Sequence, residues 1–227
     1  MRLAIVGHGR MGRAVEALAR ERGHDIRGII TSGAIVDAGA LNGAEVAVEF
    51  TTPTAAPANL ERLLAAGVPV VTGTTGWSDH LERIRHLTLE RSGAILHGPN
   101  FSIGAQLFLR AATDLARWMA GRTGFDGYLL EQHHAGKRDA PSGTAIRLRD
   151  LLRQADLSRD YPVSSIRAGA GGGHHSLVYD AADEIIRLEH SARSRAVFAS
   201  GALAAAEWLR GRTGFFTFEE MLFGGDQ

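Results

Sequence analysis

The apolar residues of the first hundred positions alternate between short runs typical of strands and longer stretches with helical spacing. The short runs predict strands at 2–6, 25–30, 46–50, 68–71 and 94–96. The longer stretches predict helices at 13–22, 54–66 and 78–90. Because strands and helices alternate, this part of the chain is expected to form an α/β fold with a parallel, doubly wound sheet.

After Asn100 the pattern changes. It predicts a long helix at 103–120, a strand at 128–131, a helix at 144–154 and strands at 176–179 and 185–190. This order is typical of a second domain with an α+β layout. A last helix at 202–210 and the apolar segment 215–218 are expected to return to the first domain. We therefore expect one domain made of residues 1–101 plus 196–227 and a second made of residues 102–195.

A glycine-rich loop follows the first predicted strand and precedes the first predicted helix. Its sequence is Gly7-His8-Gly9-Arg10-Met11-Gly12, a G-x-G-x-x-G match in the context that gives the motif meaning. The glycines let the backbone approach a pyrophosphate, and the helix N-terminus supplies free N–H donors. The sequence thus predicts a Rossmann-type dinucleotide-binding domain, with a tight turn that binds nothing as the alternative.

Other residues suggest which dinucleotide would bind. An acidic residue at the end of the second strand usually contacts the ribose of NAD, but this chain has Thr31-Ser32 there. Arg10 and Arg13 could reach a 2′-phosphate, so we expect NADPH or NADH as cofactor, with NADPH or dual use favoured. Two further loops follow predicted strands and are expected to contact the nicotinamide, with simple turn chemistry as the alternative; they contain Gly73, Thr74 and Thr75, and Gly98, Pro99, Asn100 and Phe101.

Composition narrows the class of protein. The chain has no cysteine, which excludes disulfides, thiol nucleophiles and thiolate metal sites. The formal net charge is zero without a basic tract, so no nucleic-acid partner is expected. Every apolar run falls well short of the about 20 residues that a membrane-spanning helix needs, so we expect no membrane association and a cytoplasmic location.

Lys137 is the single lysine of the chain, against 24 arginines. It lies in the run Glu131-Gln-His-His-Ala-Gly-Lys-Arg-Asp-Ala-Pro-Ser-Gly-Thr-Ala145. An ammonium group is a compact charge, whereas a guanidinium is a planar fork, so the two do not replace each other in a tight site. A chance position is the alternative, but the neighbouring histidines and the Pro-Ser-Gly-Thr loop favour a chemical role.

Segments throughout the chain resemble the dihydrodipicolinate reductase family. The resemblance rests on Gly9–Gly12, Glu49–Thr51, Gly73–Gly76, Asn100–Ser102, His133 through Lys137, Asp139–Ala145, Arg167–Gly169, His190, Ser194–Arg195 and Phe198–Ala202. It implies reduction of 4-hydroxy-tetrahydrodipicolinate, a small dicarboxylate heterocycle, to tetrahydrodipicolinate in lysine and diaminopimelate biosynthesis. It also implies a homotetramer assembled through the sheet of the second domain, which would be both the substrate-binding and the tetramerisation domain.

The resemblance also assigns roles to residues of the long run. His133 would be the proton donor and Lys137 its electrostatic partner, while His134, Gly143 and Thr144 would hold a substrate carboxylate. The chemistry of the residues agrees, because histidine titrates near neutral pH and because Ser142, Gly143 and Thr144 precede a predicted helix whose N-terminus attracts anions. A plain helix cap is the alternative for this loop.

Metal ligation is the rival role for the two histidines. Adjacent residues of a strand point to opposite faces, and the sequence suggests no third ligand, so no metal is expected.

The chain departs from the family pattern in places. The glycine loop is one residue shorter than is common, and Gly173-His174-His175 replaces the usual Gly-Glu-His, so the roles of His174 and His175 stay open. Two other functions also stay open: a different nicotinamide-dependent dehydrogenase and a dinucleotide sensor without catalysis.

Overall fold

The computed structural model describes residues 1–224. They divide into two compact units, one made of Met1–Ser102 with the described residues from Arg195 on, and one made of Ile103–Ser194. The elements, in chain order, are β1 (Arg2–Val6), α1 (Arg10–Glu21), β2 (Asp25–Ile30), α2 (Ala38–Leu41), β3 (Val46–Glu49), α3 (Ala56–Ala65), β4 (Val70–Thr72), a 3-10 turn (Ser78–His80), α4 (Leu81–Glu90), β5 (Ala94–His97), α5 (Ile103–Met119), β6 (Asp126–His133), α6 (Gly143–Ala155), β7 (Val163–Arg167), β8 (His174–Asp180), β9 (Ile185–Ser191), α7 (Ala196–Leu209), β10 (Gly214–Thr217) and α8 (Phe218–Phe223).

The first unit is built on a six-stranded sheet of order β10-β5-β4-β3-β1-β2 in which all neighbours are parallel. Alternate residues of β1 enter two different cores. Leu3 and Ile5 pack with α1 and α7, whereas Ala4 and Val6 pack in the cluster that includes α3 and α4. Helices therefore cover both faces of the sheet, and the predicted α/β class with a doubly wound parallel sheet is confirmed.

The second unit has a four-stranded mixed sheet of order β7-β6-β8-β9. β6 runs parallel to β7 and antiparallel to β8, and β8 runs antiparallel to β9. One face carries Leu129, Leu177 and Tyr179, which pack with α5 and α6 in a common core. No helix of the described residues is long and apolar enough to cross a membrane.

Several element boundaries differ from those predicted. α1 begins at Arg10 rather than residue 13, and α7 begins at Ala196 rather than residue 202, so both helices extend further toward their N-termini. The segment predicted only as apolar at 215–218 is the edge strand β10 followed by α8. The patterns did not predict α2 or β7. β7 has five residues, of which two are serine, and its middle three residues are exposed, so it lacks an apolar signal.

Candidate active site

A cavity of about 690 Å³ lies in the first unit at the carboxyl ends of β1, β2 and β3. Open parallel sheets bind their ligands at this edge. The lining includes Gly7, His8, Gly9, Arg13, Ile30, Thr31, Ser32, Phe50, Thr51, Asn59 and Arg62. The first three residues of the predicted glycine loop therefore line the cavity, while Arg10, Met11 and Gly12 form the first turn of α1.

The three glycines of this loop have different structural roles. Gly7 has a φ of +92°, and a Cβ there would lie 2.1 Å from the Phe50 carbonyl oxygen. A Cβ on Gly12 would lie 1.9 Å from the Gly7 carbonyl oxygen, so Gly12 allows α1 to pack closely on the loop. A Cβ on Gly9 would meet nothing within 4 Å. Gly9 thus faces open space at the cavity, where a ligand could approach the backbone.

The N-terminus of α1 has the properties of an anion site. Gly9 caps the helix without a side-chain hydrogen bond, and the first turn holds no acidic residue. Its early N–H groups have no intrahelical partner, and the positive end of the helix dipole points the same way. His8 is held to one side, because its Nε2 lies 2.7 Å from the Glu16 carboxylate. These residues fit the pyrophosphate of a dinucleotide.

The lining of the same cavity also includes Thr31, Ser32, Arg13 and Arg62. The absence of a carboxylate after β2 removes the group that would repel a 2′-phosphate. Arg62 was not found from the sequence, because it belongs to α3 and is remote from the glycine loop along the chain. Two arginines at this place fit a phosphorylated ribose.

The loop that contains Gly73 and Thr74 is anchored by Glu49. This buried carboxylate accepts hydrogen bonds from the hydroxyl of Thr72 at 2.6 Å and from that of Thr74 at 3.0 Å. Burial raises the pKa of Glu49, and the hydrogen bonds from the threonines act against this. The Thr74 side chain is therefore committed to the protein, and Thr75, which is exposed, remains available for a ligand.

Gly73 and Phe101 are packing residues in this edge of the sheet. A Cβ on Gly73 would lie 2.0 Å from the ring of Phe50, and that ring meets Phe101 edge to face with centroids 6.1 Å apart. Phe101 and Gly98 are buried, Asn100 is half-buried, and Pro99 is exposed. The predicted cofactor loop thus presents mainly Pro99 and Asn100 to its surroundings.

In the second unit, β6 places Glu131 and His133 on the same face of the sheet, because side chains alternate along a strand. The face is the one that α5 and α6 cover. A cavity of about 350 Å³ lies beside His133 and is lined on its other side by Ala168 and by Gly171, Gly172 and Gly173. The glycine-rich stretch at 168–173 therefore contributes to the lining of this cavity.

The Glu131 carboxylate is the centre of a buried hydrogen-bond network. Its Oε1 accepts from the Ser142 backbone N–H at 3.0 Å, from the Ser165 hydroxyl at 2.6 Å and from the Arg167 guanidinium at 2.6 Å. Burial alone would raise the pKa of Glu131, but the donors outweigh it and lower that pKa to about 2. Arg167 also donates to the Asp139 carbonyl oxygen at 2.6 Å, so it joins β7 to the loop after His133.

His175 lies on β8 next to this network. Its Nε2 is 3.1 Å from the Ser142 hydroxyl, which itself accepts from the Ala145 N–H. The Ser142 hydroxyl thus ties the cap of α6 to the ring of His175. Burial lowers the pKa of His175 to about 4. His174 points elsewhere, because its Nδ1 is 2.8 Å from the Ser191 hydroxyl.

Lys137 lies in the loop between β6 and α6. Its ammonium is 2.8 Å from the Asp139 carboxylate, and hydrogen bonding to Lys137 lowers the pKa of Asp139. The backbone N–H of Lys137 donates to the carbonyl oxygen of His134, which closes a turn after β6. The turn thus brings the ammonium of Lys137 back near the end of the strand that carries His133.

The N-terminus of α6 forms a second anion site. Ser142 is buried, and its hydroxyl caps the helix by accepting from the Ala145 N–H. A Cβ on Gly143 would meet nothing within 4 Å, and Thr144 is half-buried. The N–H groups of the first turn and the Thr144 side chain remain as donors for a carboxylate.

Glu131, His133 and His175 each place a ligand-type atom within 4.8 Å of the other two. The sequence suggested a metal only for the adjacent histidines, and the cluster draws instead on residues from two strands. However, the Arg167 guanidinium donates to the Glu131 carboxylate, and His175 Nε2 lies within hydrogen-bond distance of the Ser142 hydroxyl. Both features favour a hydrogen-bonded network over a cation site.

Sequence reasoning missed four residues of this site: Glu131, Arg167, Gly173 and His175. The alternation along β6 could have indicated Glu131, since it precedes His133 by two positions. Arg167 and His175 reach the site only through the pairing of β6 with β7 and β8. Nothing in the local sequence indicates that pairing.

The two units together define a class of protein. One carries a doubly wound sheet with a glycine loop and an anion-binding helix, and the other carries a mixed sheet with buried histidines beside a small cavity. This combination is typical of two-domain nicotinamide-dependent oxidoreductases.

The chain belongs to the dihydrodipicolinate reductase family. Models of the N-terminus and the C-terminus of dihydrodipicolinate reductase match residues 1–101 and 104–222. A 4-hydroxy-tetrahydrodipicolinate reductase of Christiangramia forsetii is 33% identical, over 98% of both chains. One from Natronomonas pharaonis is 36% identical, over 97% of this chain and 99% of its own. The resemblance seen in the motifs is thereby confirmed.

Solved structures agree on the fold. A dipicolinate-bound dihydrodipicolinate reductase from Paenisporosarcina sp. TG-14 has a TM-score of 0.81 at 20% identity, and covers 97% of this chain and 99% of its own. A probable dehydrogenase from Thermotoga maritima has a TM-score of 0.59 at 8% identity, and covers 98% of this chain and 93% of its own. At these identities the comparison concerns the fold alone.

Proposed function

We propose that the chain reduces 4-hydroxy-tetrahydrodipicolinate to tetrahydrodipicolinate, with NADPH or NADH, as a step of lysine and diaminopimelate biosynthesis. The observation that carries the proposal is that relatives named for this activity align with the chain over nearly its full length. They span 97 to 98% of the chain, and both family models match. The run from His133 to Thr144, to which the resemblance gives the catalytic and carboxylate-binding roles, lies within the second unit.

The first unit would bind the cofactor, with the pyrophosphate on the α1 N-terminus beside Gly7 and Gly9. The reduced nicotinamide supplies a hydride when it is bound. Arg13 and Arg62 would contact a 2′-phosphate, since both line the cavity with Thr31 and Ser32 and no carboxylate is among the lining residues. This arrangement supports the use of NADPH without excluding NADH.

The second unit would bind the substrate and supply the proton. The reduction adds one hydride and one proton to the ring, and negative charge develops on the ring before the proton arrives. His133 would donate that proton, and the ammonium of Lys137 would stabilise the negative charge. The α6 N-terminus, with Gly143, Thr144 and His134, would hold one substrate carboxylate.

The open face of the second sheet would form a subunit interface. Leu130, Ile166 and Ile185 lie on the face opposite the helices and are 37%, 50% and 45% exposed. Exposed apolar residues on one sheet face are typical of an assembly surface. We therefore include a homotetramer, and a cytoplasmic location, in the proposal.

The experiment is a coupled assay. The preceding synthase generates the substrate from pyruvate and aspartate semialdehyde, and the absorbance of NADPH or NADH is followed. Oxidation that depends on the synthase supports the proposal and ranks the two cofactors. A folded protein that binds dinucleotide yet oxidises neither cofactor would instead favour the sensor or another dehydrogenase.

A further inference from the structure

We propose that Glu131 is the positioning residue of the proton donor: its Oε2 accepts the Nε2–H of His133 and turns the Nδ1 edge of the ring toward the cavity. This inference rests on the proposed function, because it concerns how His133 would deliver its proton. Neither the sequence motifs nor the comparisons give Glu131 a role.

The first argument is the distance between two otherwise unused atoms. Glu131 Oε2 and His133 Nε2 are 3.3 Å apart. Within the described part of the chain, both atoms are buried and neither makes a hydrogen bond, so the two are close neighbours that are not yet aligned as donor and acceptor. A buried polar atom without a partner costs free energy, so a small rotation of the ring that points an Nε2–H at Oε2 would satisfy both atoms at once.

The second argument is that Glu131 is held in place. Ser142, Ser165 and Arg167 all bond to Oε1, which fixes the plane of the carboxylate and leaves Oε2 pointing at the ring. The Glu131 side chain is fully buried, so water does not compete for Oε2. A carboxylate that is fixed in this way can hold the His133 ring in a single orientation, from which the ring would donate its proton.

The third argument concerns the other edge of the ring. The position of a Cβ on Gly173 is 2.7 Å from His133 Cε1 and 3.2 Å from Nδ1. Gly173 and His133 both line the cavity of about 350 Å³. A side chain at position 173 would displace the ring, so the glycine allows the Nδ1 edge to face this wall. A proton on Nδ1 is therefore the one available to a ligand.

The charge around His133 comes from several elements. The groups that face it are Glu131 on β6, His175 on β8, Arg167 at the end of β7, and Lys137 and Asp139 in the following loop. Burial is the largest influence and lowers the pKa of His133, Lys137 and Arg167 lower it further, and Glu131 is the main group that raises it. Loss of the Glu131 charge would make His133 harder to protonate.

The test is the pH profile of kcat/KM for Glu131→Gln, with Glu131→Asp as the conservative variant. A protonated donor is lost as pH rises through its pKa. In the Gln variant, we expect the alkaline fall of kcat/KM, the alkaline limb of the profile, to occur at a pH lower by about one unit or more. We also expect kcat to decrease by roughly 10- to 100-fold. KM for the nicotinamide cofactor should stay unchanged. The Asp variant should keep the limb near its original pH.

Glu184→Gln is the matched control, because Glu184 is an exposed carboxylate of the same unit, in the turn before β9. It should leave the profile unchanged. An equal loss of activity at every pH in Glu131→Gln, without displacement of the limb, would show a merely structural role and overturn the proposal. Loss of wild-type activity in EDTA that Zn²⁺ restores would also overturn it.

A second measurement does not depend on any variant or on activity. The ¹⁵N chemical shifts of the His133 ring in the wild-type protein report which nitrogen keeps its proton in the neutral form. A proton on Nε2 supports the proposal, and a proton on Nδ1 overturns it. An inactive wild-type protein with an Nε2 proton would refute the proposed function while it leaves the Glu131–His133 pair intact.

Discussion

A Cβ atom on Gly12 would lie 1.9 Å from the carbonyl oxygen of Gly7, so the start of α1 packs directly on the loop that leaves β1. At Gly9, between the two, a Cβ would meet only open space. Alanine at Gly12 therefore tests the packing of α1 on the loop, whereas alanine at Gly9 tests the binding of a ligand in the cavity.

We expect Gly12→Ala to destabilise the first unit by about 3 kcal/mol, because the added atom collides with backbone that cannot rotate away. Gly9→Ala should fold like the wild type but bind dinucleotide at least about 10-fold more weakly, since the methyl group occupies the cavity. Thermal melts and fluorescence titration with NADPH measure the two effects. Equal stability of both variants would contradict the packing role of Gly12.

Lys137→Arg tests the single ammonium group of the chain. The protein should fold normally and lose kcat by roughly 100-fold or more, because a larger planar cation displaces the charge by about 1 Å. Arg138→Lys is the control, since Arg138 is the exposed neighbour and should tolerate the change. The coupled assay reads the result. Near-normal turnover of Lys137→Arg would remove Lys137 from the site.

Thr31→Glu tests the choice of cofactor. A carboxylate at the end of β2 would repel a 2′-phosphate, so KM for NADPH should rise about 10-fold or more, while KM for NADH changes little. Thr123→Glu adds the same charge at an exposed turn of the second unit and should change neither constant. A rise of equal size for both cofactors would place the 2′-phosphate elsewhere.

His175 makes the second unit sensitive to acid. Burial lowers the pKa of this imidazole from 6.5 to about 4. The unfolded chain therefore binds more protons between these values, and stability falls as pH decreases through this range. His175→Gln keeps an acceptor for the Ser142 hydroxyl without a titrating ring. We expect urea unfolding to show a flatter pH dependence in this variant, and an unchanged slope would contradict the assignment.

Much of the fold follows from local patterns. Short apolar runs separated by stretches with helical spacing predicted five of the six strands of the first sheet, β1 to β5, and the glycine loop after β1 indicated the edge where a cavity lies. The edge strands β7 and β10 were harder to predict. Val163-Ser-Ser-Ile-Arg167 is too polar to stand out, and Phe215–Thr217 is a strand only because β5 lies beside it.

The site was predictable where chemistry is concentrated in one run, from His133 to Thr144. It was not predictable where strands bring distant residues together. His175 meets Ser142 at 3.1 Å across 33 positions of sequence, and Arg167 meets Glu131 across 36. In the predicted cofactor loops, the sequence could not show which side chains have structural contacts: the Thr74 hydroxyl donates to Glu49, and Phe101 is 2% exposed.

The first sheet takes its edge strand β10 from residues 214–217, and α7, at residues 196–209, fills one of its cores. During synthesis, five strands of this sheet are therefore translated long before α7 and β10, which complete it. Until then β5 has an unpaired side and the apolar face that α7 covers is open to water. The inserted unit, residues 103–194, is by contrast contiguous in the chain and can fold as soon as it emerges.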